Sequence, residues 1–518
     1  MQNINILWAD DEIEMLKPHI LFLKTKGYEV HKVTNGLDAI DACRNNDFDI
    51  IFLDENMPGI SGLEALAQIK TIKPEVPVVM ITKSEEEHIM EEAIGSKIAD
   101  YLIKPVNSNQ ILLSIKKQLD NKRLVSEKTA QGYQQEFRQI GMELSDNLDF
   151  DAWVTLYRKL IYWELELSNS PDTGMDEILL MQKSEANRSW TKFVKQNYIN
   201  FLRKPTDRTP AMSHTVMKRK VIPELKGEEP VFLLLLDNFR FDQWKVIQSM
   251  LNEYFRTINE DVYLTILPTT THYARNSFFA GMMPSEIDKL YPNLWVDEEE
   301  DEGKNLHEEE LLQTQLQRAG IKDKFSYTKI TNLDAGKRLV DDIPNMLNNK
   351  FNAIVYNFVD MLSHARTEMN VMKELAEDEA AYRSITQSWF EHSPLFDALK
   401  RLAQYKVKLI ITTDHGSIRV SNPVKIVGDR ATSTNLRYKQ GRNLNYNESD
   451  LFTIKDPSEA YLPKQNISSR FVFATEDHFM AYPNNYNYHV KMYNNSFQHG
   501  GISLEEMIVP FVILETKS

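Results

Sequence analysis

A single cysteine, Cys43, leaves the 518 residues without an internal disulfide, and a reducing cytoplasm is the expected setting. No apolar run approaches the ~20 residues that a membrane-spanning helix needs. The opening residues, M-Q-N-I-N-I-L-W-A-D-D, carry acids where a secretory leader carries basic residues and a cleavage site. Positive charge is also in short supply. Lys and Arg number 60 against 75 Asp and Glu, and the net charge of −15 excludes broad, non-specific duplex binding. A local basic cleft stays compatible with that balance. No internal repeat of fixed period occurs. The chain is too long for one core, so a multidomain α/β protein of roughly two to four domains is expected.

Residues 1–120 read as an alternating β/α domain. Ile4 to Ala9 is an apolar strand ending in Asp10-Asp11. Further strands are expected at Tyr28 to Val33, at Asp49 to Leu53 ending on Asp54, and at Val76 to Ile81 ending on Thr82. A fifth, Asp100 to Ile103, ends on Lys104-Pro105. Helical spacing, such as Leu63, Leu66 and Ile69, fills the intervals. Polar groups at the ends of several strands make a chemical set. A carboxylate attacks phosphorus when a cation neutralises the phosphoryl oxygens, and Asp10, Asp11 and Asp54 offer the oxygen cluster that Mg²⁺ prefers.

With D-E-N-M-P-G after the third strand and K-P after the fifth, residues 3–119 resemble the receiver domain of two-component response regulators. That resemblance implies a CheY-like parallel sheet of order 2-1-3-4-5 and phosphorylation on Asp54 by a sensor histidine kinase. It also implies Mg²⁺ held by Asp10, Asp11, Asp54 and the backbone of Asn56. Thr82, Tyr101 and Lys104 match the family's switch residues. Lys83 departs from the pattern, because a small residue usually follows the switch threonine, and its long side chain puts the rate of phosphotransfer in question.

Residues 121–204 are expected to form an α-helical bundle linker, with an aromatic-rich segment around Trp153, Tyr157, Ile161 and Trp163. No compact basic helix-turn-helix follows the first domain, which disfavours a DNA-binding transcription-factor output. The pattern returns to α/β over residues 205–518. Strands are expected near Val231–Leu236, Tyr263–Ile266, Ala353–Phe358, Lys408–Thr412 and Met507–Leu514. Gly428 to Tyr446, with Arg437 and Lys439, reads either as an anion-binding insertion or as an ordinary exposed loop.

Four clusters in this last region stand at strand ends or in adjoining loops. They are Asp237; Thr271 in L-P-T-T-T-H-Y-A-R; Asp360 and His364 with Asp414 and His415; and His499 in H-G-G. Carboxylates mixed with imidazoles suit Zn²⁺, with Mn²⁺ second. Two such ions clamp the attacking and leaving oxygens of a phosphoryl displacement. Thr269 and Thr270 are rival nucleophiles to Thr271, and His272 adjoins them. Arg275, a helical turn beyond Thr271, fits either a substrate phosphate or helix–sheet packing.

The clusters in this order resemble the alkaline phosphatase superfamily, in the branch of nucleotide pyrophosphatases/phosphodiesterases and PglZ domains. Thr271 stands three residues after Pro268 and ten before Gly281, as that family's nucleophile does. The resemblance implies an alkaline-phosphatase-like α/β fold and two Zn²⁺. Asp237, Thr271, Asp414 and His415 would hold one ion; Asp360, His364 and His499 would hold the other. It implies a phosphodiesterase acting on nucleotide diesters, linear or cyclic oligonucleotides among them, with Arg275, Arg437 and Lys439 as candidate substrate contacts. The whole arrangement resembles the PorX-type response regulators associated with type IX secretion in Bacteroidetes, and a phosphorylation-dependent homodimer is expected. The competing expectation is a non-catalytic module that binds a sigma factor or DNA.

Overall fold

A computed structural model describes residues 4–83, 98–168, 174–296, 305–357, 378–428, 432–464 and 468–517, with the side chains of 120–127 set aside. Two compact units form. One comprises Met1–Gln135 with Glu166–Met175, and the other Glu136–Leu165 with Asp176–Ser518.

In the first unit, five strands make a parallel sheet: β1 (Ile4–Ala9), β2 (Tyr28–Val33), β3 (Ile50–Asp54), β4 (Val78–Thr82) and β5 (Asp100–Ile103). Their order is β2-β1-β3-β4-β5, as the resemblance implied. Side-chain alternation splits the core in two. Leu7, Ala9, Ile51, Leu53, Val78 and Met80 pack against Ala39, Ile40, Leu66 and Ile69 from the helices Gly36–Asn45 and Gly62–Ile72. Ile6, Trp8, Ile50, Phe52, Val79 and Ile81 face the opposite way, toward Ile20, Leu23, Ile111 and Ile115 from Lys17–Thr25 and Ser108–Ile115. With both faces covered, all the polar chemistry is left at the carboxyl ends of the strands.

The second unit is built on a six-stranded sheet. Its parallel members include β6 (Val231–Leu236), β7 (Phe255–Leu264), β8 (Phe325–Ile330), β9 (Phe351–Tyr356) and β10 (Lys408–Thr412). Short strands follow: β11 (Ile418–Arg419), β12 (Asn422–Val427), β13 (Tyr438–Gly441), β14 (Asn445–Tyr446) and β15 (Leu451–Ile454). After them come β16 (Arg470–Ala474), β17 (His478–Ala481), β18 (Phe497–Gln498) and the long closing strand β19 (Ile508–Thr516). The main sheet runs β7-β19-β10-β6-β9-β8. β19 is antiparallel to both β10 and β7, so β7 points the same way as β10, β6, β9 and β8. Five strand ends therefore meet along one edge, and β19 begins there.

The edge strands depart from the sequence reading. β7 starts at Phe255, well before the expected Tyr263, because its first seven residues (F-R-T-I-N-E-D) are largely solvated and show no apolar run, and it ends at Leu264. β8 (F-S-Y-T-K-I) escapes for the same reason. The helices Phe150–Ser168 and Met175–Arg203 form as expected of the linker. Arg158 donates to the Glu260 carbonyl at 2.7 Å, and Asn187 donates to Glu505 at 3.0 Å.

Candidate active sites at the two sheet edges

At the carboxyl edge of the first sheet, Asp10, Asp11 and Asp54 place one oxygen each within 4.8 Å of one another. Lys104 reaches back from the end of β5, and its Nζ lies 2.8 Å from both Asp54 Oδ2 and Asp10 Oδ2. Burial raises the Asp54 carboxyl pKa; Lys104 opposes that, and the charges of Asp10 and Asp11 add to it. Asp54 Oδ1 is buried without a hydrogen-bond partner. Such an orphaned oxygen beside two more carboxylates fits a divalent cation. Asn56 lies in the exposed turn after Asp54. Thr82 is fully buried, and the Tyr101 phenol hydrogen-bonds to it. Lys83 extends outward instead of over Asp54, with Nζ 2.8 Å from Glu12 Oε2.

At the second edge, β6 releases Asp237 into a tight turn, where Asn238 takes a positive φ of 60°. Asparagine tolerates that left-handed conformation better than most residues. The register pairs Thr412 of β10 with Leu235, so Asp414 and His415 emerge beside Asp237. Thr271 begins a one-turn π-helix, Thr271–Arg275. Its Oγ1 lies 3.3 Å from Asp237 Oδ1 and 3.2 Å from His415 Nε2. Asp237, Asp414 and His415 bring their donor atoms within 4.8 Å of one another, all three buried. His415 Nδ1 is 3.1 Å from the Gly416 carbonyl, an acceptor that calls for a proton on Nδ1, and Nε2 faces Thr271. This two-carboxylate, one-imidazole set fits a zinc-type cation beside a threonine hydroxyl.

His499 stacks on His415 with ring centroids 4.3 Å apart, and its Nδ1 is 3.2 Å from the Thr269 carbonyl. Its loop is held by Thr269, whose Oγ1 accepts from Gly500 N at 2.9 Å and donates to the Gly501 carbonyl at 3.0 Å. Gly501 has no room for a side chain, since a Cβ would lie 2.4 Å from the Ala474 carbonyl. Thr269 is thus committed to loop structure. His272 stacks on Trp295 at 4.6 Å, inside an aromatic cluster. Asp360 and His364 lie outside the described residues.

The three candidate substrate contacts, Arg275, Arg437 and Lys439, are all buried. Arg275 is fully buried. Its Nε donates to Asp414 Oδ2 at 2.9 Å, and one terminal nitrogen pairs with Asp237 Oδ2. The other reaches Asn357 at 3.4 Å and Glu308 at 3.5 Å. It grips the site's carboxylates from behind. Burial would raise the Asp414 carboxyl pKa, but Arg275 and His415 bring it down to about 2. Arg437 is also fully buried, with its nitrogens on Glu506 at 2.6 and 3.2 Å. Lys439 is 1% exposed and donates to the Ser433 carbonyl at 2.8 Å. The stretch read either as an anion-binding insertion or as an exposed loop contains β13, a buried edge strand paired with β16.

Burial pushes the Lys439 ammonium from its ordinary 10.5 down to about 7. Between those values the unfolded chain holds a proton that the folded chain lacks, so stability rises with pH across this window. The full contribution is present above pH 10.5 and is lost as pH falls to 7. Urea unfolding midpoints are expected to climb from pH 7 to 9 with a slope of up to about 1.4 kcal/mol per pH unit from this group. Lys439→Met is expected to flatten the climb, and an unchanged slope in the variant would contradict the assignment.

Sequence reasoning also missed Glu506, which accepts from Gly501 N at 2.9 Å and anchors Arg437. Its signal was present as the capping pattern S-L-E-E, and Ser503 Oγ does accept from Glu506 N at 3.1 Å. Glu308, behind Arg275, carried no comparable signal.

Comparison with known proteins divides the chain into three matches. Residues 6–116 match the response regulator receiver domain, 123–202 the PorX response regulator linker domain, and 216–514 the BREX system PglZ alkaline phosphatase-like domain. The transcriptional regulatory protein ZraR of Klebsiella oxytoca is 31% identical over 140 residues, which are 27% of this chain. The chain spans 32% of the length of that relative. SrrA of Staphylococcus aureus is 24% identical over 187 residues, covering 34% of this chain and 76% of its own. A CheY-like receiver structure from Methanospirillum hungatei is 25% identical over 23% of this chain and 96% of its own, with a TM-score of 0.23. With more than half of its length in the third match, and a receiver and linker of the PorX type before it, the chain belongs to the PglZ family of alkaline phosphatase-like proteins in its response-regulator form.

Proposed function

We propose that this response regulator hydrolyses nucleotide phosphodiesters, linear or cyclic oligonucleotides among them, with Thr271 as nucleophile, under control of phosphorylation at Asp54. The observation that carries the reading is the placement of the Thr271 hydroxyl between Asp237 Oδ1 and His415 Nε2, at 3.3 and 3.2 Å. Asp237, Asp414 and His415 would hold one Zn²⁺ beside Thr271, and Asp360, His364 and His499 the second. When bound, the ions supply the positive charge that lowers the hydroxyl pKa and neutralises the phosphoryl oxygens. Thr271 Oγ1 would give up its proton and attack phosphorus as the bond to the leaving alkoxide breaks, the alkoxide taking up a proton; water would then displace Thr271 and release the nucleotide monoester. Arg275 contributes by fixing the orientation of Asp237 and Asp414.

In the receiver, Asp10, Asp11, Asp54 and the Asn56 backbone would hold Mg²⁺. Asp54 would accept the phosphoryl group from a sensor histidine kinase, and Lys104, already on Asp54, would pair with its oxygens. Thr82 and Tyr101 would carry the switch. A cytoplasmic setting, a phosphorylation-dependent homodimer and a role in type IX secretion belong to the same reading. The competing reading is a non-catalytic module for a sigma factor or DNA; burial of Arg437 and Lys439 removes them as phosphate-backbone contacts from both readings.

The test is one experiment with four arms: wild type and Asp54→Asn, each with and without a small phosphodonor and Mg²⁺. Metal content is measured, and turnover is followed on a panel of nucleotide diesters and monoesters. Expected are zinc in the purified protein, diester hydrolysis abolished by a chelator and restored by Zn²⁺, and a phosphodonor effect confined to the wild type. Metal-replete protein with no turnover on any ester would leave the binding module as the better reading.

A further inference from the structure

We infer that Tyr198 and Asn187, on the helix Met175–Arg203, are positioning residues that set the two loops of the PglZ-domain site against each other. This rests on reading that site as a hydrolase centre. The Leu267 N–H, just ahead of Pro268 and the three threonines, donates to the Tyr198 hydroxyl oxygen at 2.8 Å. Asn187 serves the other loop twice. Its Oδ1 accepts from Leu504 N at 2.8 Å, and its Nδ2 donates to Glu505 Oε2 at 3.0 Å. Lys183, one turn earlier, lies 3.5 Å from Glu505 Oε1. At 3.6 residues per turn, positions 183, 187 and 198 fall on one face of the helix.

The contacts close a circuit. From Tyr198 it passes to Leu267 and Thr269, then through the Thr269 hydroxyl to Gly500 and Gly501. From Gly501 it runs to Glu506, and back through Leu504 to Asn187. Thr271 sits on one arm of this frame and His499 on the other. The helix is anchored without the polar pair, since Trp190, Phe193 and Val194 already bury its apolar stripe. Tyr198 and Asn187 are 1% and 4% exposed, so each polar group is held dry at a cost that packing alone does not call for. What they add is register between the threonine loop and the histidine loop. A displacement of about 1 Å between such groups lowers turnover up to roughly a hundredfold.

The test uses the full-length, metal-replete chain with Tyr198→Phe, which deletes one oxygen, and Asn187→Ala. In each, kcat on a nitrophenyl phosphodiester is expected to fall about 10- to 100-fold with KM within about twofold. Zinc stoichiometry is expected to stay at the wild-type value. Hydrogen exchange over residues 265–270 should show a protected Leu267 amide in the wild type and faster exchange in Tyr198→Phe, with the strand Phe255–Leu264 unchanged. Should Tyr198→Phe fail to fold, Asn187→Ala carries the kinetic test and the wild-type exchange carries the other. A wild-type chain with no turnover sinks the hydrolase reading and this inference with it. An active wild type whose variants keep kcat within about twofold, or a Leu267 amide that exchanges freely in the wild type, overturns this inference alone.

Discussion

Thr271→Val is expected to abolish phosphodiester hydrolysis while leaving the fold and the metal content unchanged. Valine has nearly the shape of threonine, and what it removes is the one oxygen placed between Asp237 and His415. Losing a nucleophile costs on the order of 10³- to 10⁶-fold in kcat, with the residue coming from binding and electrostatic groups left in place. The neighbouring threonines supply the controls. Thr269 is tied to Gly500 and Gly501, so Thr269→Val is expected to lower stability through the His499 loop as well as activity. The Thr270 hydroxyl is buried and makes no hydrogen bond, so Thr270→Val is expected to keep most of the turnover and all of the stability. Turnover retained in Thr271→Val, or lost equally in Thr270→Val, would sink the assignment of the nucleophile.

The residues that meet at the two sheet edges were legible because strand ends are cheap to read. An apolar run followed by a carboxylate tells where a chain leaves the sheet, and Asp10, Asp54, Asp237 and Asp414 all follow that rule. Side-chain roles one layer back were not legible. Arg275 could be read as a substrate contact or as packing, and Arg437 and Lys439 as an anion site or an exposed loop, because sequence alone carries no sign of the buried acids and carbonyls that receive them. Arg275 meets Asp237 and Asp414 just beyond two strands and Glu308 at the start of the helix Glu308–Arg318. Arg437 meets Glu506 across 69 residues of chain. Edge segments were lost for a different reason: β8 and the first seven residues of β7 are mostly half-buried or exposed, and polarity masks their period. The helical linker was read correctly as helix, but the contacts its polar residues make were not. The polar residues that fasten it, Asn187 and Tyr198, look ordinary on a long amphipathic helix.

Arg275→Met is expected to destabilise the metal-free chain by about 3–5 kcal/mol, the cost of leaving buried acids without their cation. The variant leaves Asp237 and Asp414, at 2% and 0% side-chain exposure, facing each other with no guanidinium between them. Glu308 keeps Lys329 at 2.8 Å and suffers less. A divalent cation at Asp237, Asp414 and His415, as proposed, would supply the missing charge, so Zn²⁺ is expected to raise the unfolding midpoint far more in the variant than in the wild type. Ligand linkage sets the scale, with about 2.7 kcal/mol at a hundredfold excess over Kd. Lysine at the same position restores the charge without the planar fork that spans two carboxylates, and Arg275→Lys is expected to fall between the two. If Arg275 instead gripped the substrate phosphate, Arg275→Met would raise KM and leave unfolding of the metal-free chain unchanged. Full burial of the guanidinium against two carboxylates argues for the first outcome, and unfolding curves with and without Zn²⁺ decide between them.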